Sequence, residues 1–425
     1  MRELLIEDDP YEEMFQIEDE VKRSGTAFID DPYPVWAELQ AKAPVHAGTL
    51  TETMGLRPED GGLYIPGGKY FSVFSFAAVS DVFTRKDDFG SEFYVDLGLT
   101  NLLGDTLLSM DGLRHRRYRN LVQEYFQPAA ASGWWHDKVI GDLVDELIGR
   151  FETAPGADLN AQLFAPLPMH VVTAGFGLSP SDGVAFRRHM KTTQRLDLAP
   201  AQGAAAAAGV DEILERTVRE RQAAPQDDII SRLAAASLEE DDGSTRPLTV
   251  REIKDFCRLI VFAGGGTTWR QLGVTLFALL NNPEQLAAVK ADPSLLPKAT
   301  LEAARWYANQ PLFSRKAKRD TTLHGVDIPK DAVLHLCLGA ANRDPTRWAD
   351  PDSFDLFRPV QRSVSFAAGA HSCLGQHVSR QEMVVALGGL FERFPNLRWD
   401  PSQPPARLSG GMLARGPGRL PVLLH

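Results

Sequence analysis

The chain has 425 residues, of which 44% are hydrophobic, and a formal net charge of −11. That apolar fraction can build a large core, and the negative charge disfavours nucleic acid or an anionic membrane as the main partner. Met1–Lys22 is acidic and lacks the basic start and apolar run of a signal peptide, and no run of about 18 apolar residues marks a membrane span. The expected location is therefore the cytoplasm.

No Gly/Ser-rich linker and no repeat of 20–50 residues divides the chain, which reads as one domain over 1–425 with an acidic extension at 1–24. Residues 30–85 suggest a short helix, a strand pair around Tyr64–Val73 and a second helix. Residues 88–110 lack a period and read as a long loop, and His115 to Phe126 reads as a helix. From Pro128 to Leu238 helical spacing dominates, with breaks near Pro155, Pro180 and Pro200. Thr249 and Glu252 form a capping-box pattern that satisfies free backbone N–H groups and opens a long helix. It runs to Asn282-Pro283, about 48 Å for roughly 32 residues at 1.5 Å each. Ile253, Phe256, Ile260, Ala263, Thr267 and Leu272 do not confine apolarity to one stripe, so this helix belongs in a core. Leu374 to Phe394 reads as another helix. Leu312–Val333 and Leu408–Leu424 carry short strand-like pieces. The fold class is mainly α with a small β region.

Cys257, Cys337 and Cys373 are widely spaced and read as reduced thiols, not as a disulfide framework. Gly68-Lys69 imitates the end of a phosphate-binding loop, but Leu63 stands where its first Gly belongs and Tyr70 where Ser or Thr belongs. There is no GxGxxG, HExxH or CxxC, and no second His/Cys pair joins His371 and Cys373 in a tetrahedral zinc set.

The stretch Phe366-Ala-Ala-Gly369-Ala-His371-Ser-Cys373-Leu-Gly375 leads into a helix. A thiol at a helix N-terminus meets the positive end of the dipole and free N–H groups, both of which favour thiolate. The glycines let backbone donors and a flat ligand come close. A stabilised thiolate is a soft, electron-rich ligand for haem iron. Taken alone, Cys373 would as readily be a buried structural cysteine.

The stretch resembles the haem-binding loop of the cytochrome P-450 family, F-x-x-G-x-H-x-C-x-G, at every fixed position, and further family signatures follow in order along nearly the whole chain. Glu302 and Arg305 match the family's E-x-x-R helix motif, sharing a helix face at i, i+3. The resemblance adds Arg358 as the third member of a buried network that positions the haem loop. His115 and Arg119 match the H-x-x-x-R pair that binds the haem propionates. Arg315 matches a further propionate-binding Arg, and His371 resembles another such contact. The family often has a His where this chain has Ser363. Phe366, Gly369 and Gly375 complete the haem loop, and Cys373 would be the axial ligand of haem b.

Ala263-Gly264-Gly265-Gly266-Thr267-Thr268 resembles the family's oxygen-binding groove, A-G-x-(D/E)-T-T, where Ala263 and Gly264 would border the haem. Each helix-interior Gly costs about 1 kcal/mol relative to Ala, so three in a row suggest that the helix opens for a ligand. Thr267 matches the alcohol of the family's acid–alcohol pair, with Thr268 beside it. Gly266 stands where the acid belongs, which puts the usual proton route in doubt; Gln271, one turn on, reads as ordinary helix polarity, or on geometry alone as a substitute.

The resemblance implies a haem-thiolate monooxygenase that inserts one atom of O2 into a C–H bond of an apolar small molecule, terpenoid, steroid-like or aromatic. It places Leu97, Leu102, Leu103, Leu259 and Ile260 in the substrate pocket. It adds Phe262, Ala263, Pro311, Phe313 and Leu413 to the same wall. The chain has no reductase domain, so electrons would come from a separate ferredoxin or flavodoxin, with Arg114, Arg117 and Arg380 available to an acidic partner. A hydrogen-peroxide-driven peroxygenase and a non-catalytic haem sensor or carrier are the rival readings.

Overall fold

The long helix organises everything else. The computed structural model describes residues 17, 21–22, 24–193 and 200–425, so most of the acidic stretch 1–24 lies outside the described residues. The long helix is Val250–Leu280, capped by reciprocal bonds between Thr249 and Glu252 as the sequence implied. Phe256, Trp269, Leu272, Leu276 and Leu279 are buried at spacings that cover most of its circumference. Each such side chain contributes roughly 1.5–3 kcal/mol on burial. The core around it is continuous from Ile17 to Leu424.

In chain order the helices that matter for the site are α1 (Tyr33–Lys42), α2 (Phe76–Thr84), α3 (Glu92–Asp96), α4 (Leu99–Leu103) and α5 (Gly112–Gln123). They are followed by α6 (Gly141–Gly149), α7 (Pro166–Gly175), α8 (Pro180–Thr193), α9 (Pro200–Ala223), α10 (Ile229–Ala235) and the long helix, α11. After it come α12 (Pro283–Ala291), α13 (Leu296–Trp306) and α14 (Gln376–Arg393). Pro180 and Pro200 open helices, where a missing N–H is harmless.

One five-stranded sheet lies beside the helices: β1 (Val45–Ala47), β2 (Tyr70–Val73), β3 (Phe89–Gly90), β4 (Leu312–Ala317) and β5 (Val333–Cys337), in the order β1-β2-β5-β4-β3. Only β2 and β5 pair in parallel, with Val333 opposite Tyr70. Two sequence expectations need correction. The strand pair is not local to Tyr64–Val73: β2 pairs with β1, Val73 opposite Val45, across the intervening turn and short helix. Residues 88–110 are not a long loop, because β3, α3 and α4 occupy them; α3 and α4 are five residues each, too short to show a helical period. The short strands expected in 312–333 and 408–424 are present.

Candidate active site

A cavity of about 1390 Å³ lies against α11, bordered by the Cys373 loop, α4 and the start of β4. The loop is built by Gly369–His371, a single tight turn, and by the Cys373 N–H, which donates to the Phe366 carbonyl at 2.9 Å. Gly369 has φ +70°, and a Cβ there would meet the Phe83 carbonyl oxygen at 2.5 Å. Its missing side chain thus seats the loop on the end of α2 and does not border the cavity. Gly375 does border it, with open space where a Cβ would be. Ala367, at φ +55°, takes a left-handed conformation without being glycine.

Cys373 is open toward the cavity yet deep inside the protein. Burial raises its pKa; the N–H groups of Gly375 and Gln376 and the charge of Arg119 pull the other way without prevailing. The helix N-terminus alone therefore does not deliver the thiolate that the sequence suggested. Coordination to a metal centre deprotonates a thiol outright. All three cysteines are free, and Cys257 and Cys337 are buried in the core.

Beside the thiol, four donors converge, one of them, His371, from the loop itself. The His115 and His371 rings lie 4.1 Å apart, and Arg119 reaches Ser372 at 3.5 Å. Arg315 is buried in β4 with its guanidinium 5.4 Å from the Phe83 ring. Burial, then the charges of His371 and Arg119, hold the pKa of His115 down to about 3. His115 Nε2 is buried without a hydrogen-bond partner. His371 Nε2 pairs with Asp111 Oδ1 at 3.1 Å. An orphaned ring nitrogen between two arginines is a site that asks for anions, and the two propionates of a haem fit it.

Glu302, Arg305 and Arg358 do come together. Arg305 Nε and Nη2 donate to the Glu302 carboxylate at 2.8 and 2.7 Å, and Arg358 Nε donates to it at 3.2 Å. Arg305 Nη1 also donates to the Asn342 carbonyl, while the Asn342 side chain accepts from Val364 N–H and donates to Ser365 Oγ. The network thereby reaches the residues that lead into the Cys373 loop.

Along α11 the expectation of an opened helix is not met: Val250–Leu280 runs without interruption. A Cβ at Gly265 would meet Met169 Sδ of α7 at 2.5 Å, so this glycine permits close helix packing. Instead of opening, the segment has its carbonyls capped by side chains. Thr267 Oγ1 donates to Ala263 O at 2.8 Å, Arg270 Nη1 to Gly266 O at 2.7 Å, and Asn309 Nδ2 to Thr267 O at 2.6 Å. A Cβ at Gly266 would meet Arg270 Nη1 at 2.9 Å. Ala263, Gly264, Thr267, Thr268 and Gln271 all border the cavity.

Of the residues expected in the substrate pocket, Leu97, Leu103, Leu259, Ile260, Phe313 and Leu413 line it. Leu102 and Phe262 do too, and at 61% and 48% exposure they are the large apolar side chains left uncovered there. Pro311 does not line it: it is buried, its carbonyl accepting from Leu338 N–H at 2.8 Å, while Gln310 and Leu312 face the space. Arg114 and Arg117 are paired with Asp105 and Asp241.

Sequence reasoning missed Arg270, Asn309 and Glu382. Glu382 left a signal: it falls on the stripe Val378, Met383, Ala386, Leu387 and Leu390 that α14 buries. A carboxylate on a buried stripe is informative because it is rarely left unpaired.

The sequence profile described as Cytochrome P450 matches residues 198–423. Cytochrome P450 107B1 of Saccharopolyspora erythraea is 34% identical over 328 residues, 76% of this chain and 78% of the relative. The 6-deoxyerythronolide B hydroxylase of the same organism is 30% identical over 76% of this chain and 79% of its own length. The crystal structure of CYP109E1 from Bacillus megaterium in complex with testosterone superposes with a TM-score of 0.79 at 25% identity, covering 93% of this chain and 99% of that one. Among the described residues no helix is long and apolar enough to cross a membrane.

Proposed function

The chain belongs to the cytochrome P450 family, and on that premise we propose that it is a monooxygenase holding haem b through the Cys373 thiolate and hydroxylating an apolar small molecule. The observation that carries this reading is the convergence on one cavity of a deep thiol, the orphaned His115 Nε2, and Arg119 and Arg315. Haem, when bound, supplies O2 activation and the insertion of one oxygen atom into a C–H bond.

The chain supplies the rest. His115, Arg119, Arg315 and His371 hold the propionates. Glu302, Arg305 and Arg358 fix the approach to the Cys373 loop. Ala263, Gly264, Phe366 and Gly375 line the cavity and would flank the haem, and Thr267 and Thr268 would supply hydroxyls to it. Gly266 brings no acid and leaves its carbonyl to Arg270.

Leu102 and Phe262 give the substrate apolar surface on two sides. A relative bound to testosterone and another that hydroxylates 6-deoxyerythronolide B support a bulky, ring-bearing substrate, steroid-like or terpenoid. Electrons come from a separate ferredoxin or flavodoxin, and the working compartment is the cytoplasm. Gly266 favours one second reading, a peroxide-driven peroxygenase; a haem sensor without turnover is the third.

The reduced protein under carbon monoxide should show the red-shifted Soret band of a thiolate-ligated haem. Cys373→Ala should abolish it; survival of that band would refute the ligand assignment. Product formed with ferredoxin and NAD(P)H, against product formed with hydrogen peroxide alone, separates the first two readings. Turnover by either route excludes the third.

A further inference from the structure

Ser24-Gly25-Thr26 sets two hydroxyls on either side of a glycine. Gly25 has φ +68°, the left-handed conformation that glycine adopts at little cost. The turn closes with Gly25 N–H on the Lys22 carbonyl at 3.2 Å and Thr26 N–H on the Val21 carbonyl at 3.3 Å. It brings Ser24 Oγ within 2.8 Å of Thr26 Oγ1. Val21, Ser24 and Thr26 all border the cavity, as do Gly62 and Leu413. We propose that this turn is a specificity-determining wall of the substrate site, where Thr26 Oγ1 accepts a hydrogen bond from a hydroxyl on an otherwise apolar substrate. The proposal deepens the monooxygenase reading above and rests on it.

The turn is held from both sides. Before it, Ile17 and Val21 are 2% and 4% exposed. A Cβ at Gly416 would lie 3.5 Å from Ile17 Cδ1, and one at Gly411 3.4 Å from Val21 Cγ2, so both side chains rest on the hairpin of Leu408–Gly410 and Arg415–Pro417. After it, Ala27 N–H donates to the Asp60 carbonyl at 3.0 Å and Ile29 N–H to the Gly410 carbonyl at 2.8 Å. Arg415, fully buried, donates to the Ile29 carbonyl at 2.8 Å, to the Gly410 carbonyl at 2.9 Å and to the Asp30 carbonyl. A buried guanidinium stripped of such acceptors is costly, so it pins residues 29–30. Gly62, at φ +78°, completes the wall: a Cβ there would lie 2.7 Å from both Leu413 Cδ1 and Thr26 Cγ2. Its missing side chain lets both residues close in on the cavity.

Counting hydrogens gives the wall its polarity. Ser24 has one O–H, and it donates to the Val21 carbonyl at 2.8 Å. In its contact with Thr26, Ser24 can then only accept, so the Thr26 hydrogen is spent as well. Thr26 Oγ1 keeps its lone pairs, and neither hydroxyl has a hydrogen left for a ketone, ester or ether. A substrate O–H placed there finds an acceptor. An ether or carbonyl oxygen in the same place meets only lone pairs and has given up its water, which is the asymmetry that makes an unmade hydrogen bond expensive. Val21, Leu63 and Leu413 give that wall an apolar surround. A site built in this way discriminates by what it leaves unpaired in the wrong ligand.

The test uses N-alkylimidazoles that end in a hydroxyl, in a series of increasing chain length, and their methyl ethers. The imidazole fixes one end of each probe on the haem iron of the loaded protein, and its optical shift reports binding. Short alcohols and ethers should bind the wild type alike. Once the chain reaches the wall, the alcohol should bind about 3–10-fold more tightly than its ether. Thr26→Val keeps the shape and should erase that preference. Ser24→Ala returns the Thr26 hydrogen to the cavity and should narrow the preference by improving the ether. Thr26→Phe should weaken every long probe and leave the short ones unchanged, a pattern that a general loss of fold does not give. Equal binding of alcohol and ether at all lengths, or a preference that persists in Thr26→Val, overturns the proposal. A wild type without the thiolate carbon monoxide band would instead overturn the haem-thiolate reading on which it rests.

Discussion

Two segments border the same cavity and are held in opposite ways. The Cys373 loop is tied from several directions: a backbone bond to Phe366, a glycine seated on α2, and a path through Val364, Ser365 and Asn342 to the Arg305 guanidinium. The Ala263–Thr268 segment of α11 carries Gly266 where the family pattern has an acid, and its carbonyls lean on Thr267, Arg270 and Asn309 side chains. The difference teaches that the Cys373 loop is fixed by contacts converging from several elements, whereas the α11 segment rests on three side-chain bonds to its own carbonyls. The same contrast orders the expected effects of mutation.

The largest effect should fall on the tied side. Arg305 is 3% exposed and Glu302 8%, so Glu302→Ala leaves a buried guanidinium without its counter-charge. Such a loss typically costs about 3–5 kcal/mol, against a total of roughly 5–15 kcal/mol for a domain. Chemical unfolding of purified Glu302→Ala, together with its haem content, checks this; unchanged unfolding with full haem occupancy would show that the network does not hold the loop.

His115 allows a finer test of the same side, because its pKa is held down to about 3 against about 6.5 in an unfolded chain. A depressed histidine pKa means that the folded state binds fewer protons than the unfolded one between those values. Stability is therefore full above about pH 6.5 and falls as pH drops through that window. At pH 5 the loss relative to pH 7 should be about 2 kcal/mol in the haem-free protein. His115→Gln should lack this component, and haem propionates beside the ring should shrink it in the loaded protein. Equal pH dependence in wild type and His115→Gln would break the assignment of His115 to an anion site.

How much was legible in advance divides along the same line. The Cys373 loop, Glu302/Arg305 and His115/Arg119 were readable because short spacings fix residues that act together. Glycine was misleading in α11: Gly265 is there for Met169, a partner about a hundred positions away that no local pattern reveals. Likewise Gly369 makes room for the Phe83 carbonyl. Residues 88–110 were read as loop because five-residue helices are shorter than the period used to detect helices. The links from Arg305 through Asn342 to Ser365, and from Thr268 to Ser379, join elements distant in sequence and became visible only when the chain was folded.

On the looser side a moderate effect is expected. Thr267→Ala removes a hydroxyl that is already bonded back to Ala263 O. It should lower product formed per NAD(P)H by less than the roughly 10² that a direct acid commands, since that hydroxyl is committed to a carbonyl of its own helix. Gly266→Glu must displace the Arg270 guanidinium, which stands 2.9 Å from where its Cβ would be, and so is not a simple restoration. Product per NAD(P)H in the wild type and both variants, with a substrate found by its spin-state shift, decides; loss of all coupling in Thr267→Ala would make Thr267 indispensable.

The smallest effect sharpens the comparison, because it concerns strain inside the rigid loop itself. Ala367 is held at φ +55° within the stretch that ends in Cys373. A left-handed conformation costs a residue with a Cβ roughly 1–2 kcal/mol, and glycine would remove that cost. Glycine also widens the unfolded ensemble, which returns about 0.4–1 kcal/mol to the unfolded side. The balance predicts that Ala367→Gly stabilises the protein by about 1 kcal/mol or less. Alanine's left-handed geometry persists only because the bonds around it over-determine the loop. If Ala367→Gly instead destabilised the protein or loosened haem binding, the alanine methyl would be supporting the loop against Ala341, Val364 and the rest of its apolar cluster. Paired unfolding curves of wild type and Ala367→Gly, each with and without haem, separate strain relief from lost packing, since only strain relief raises both.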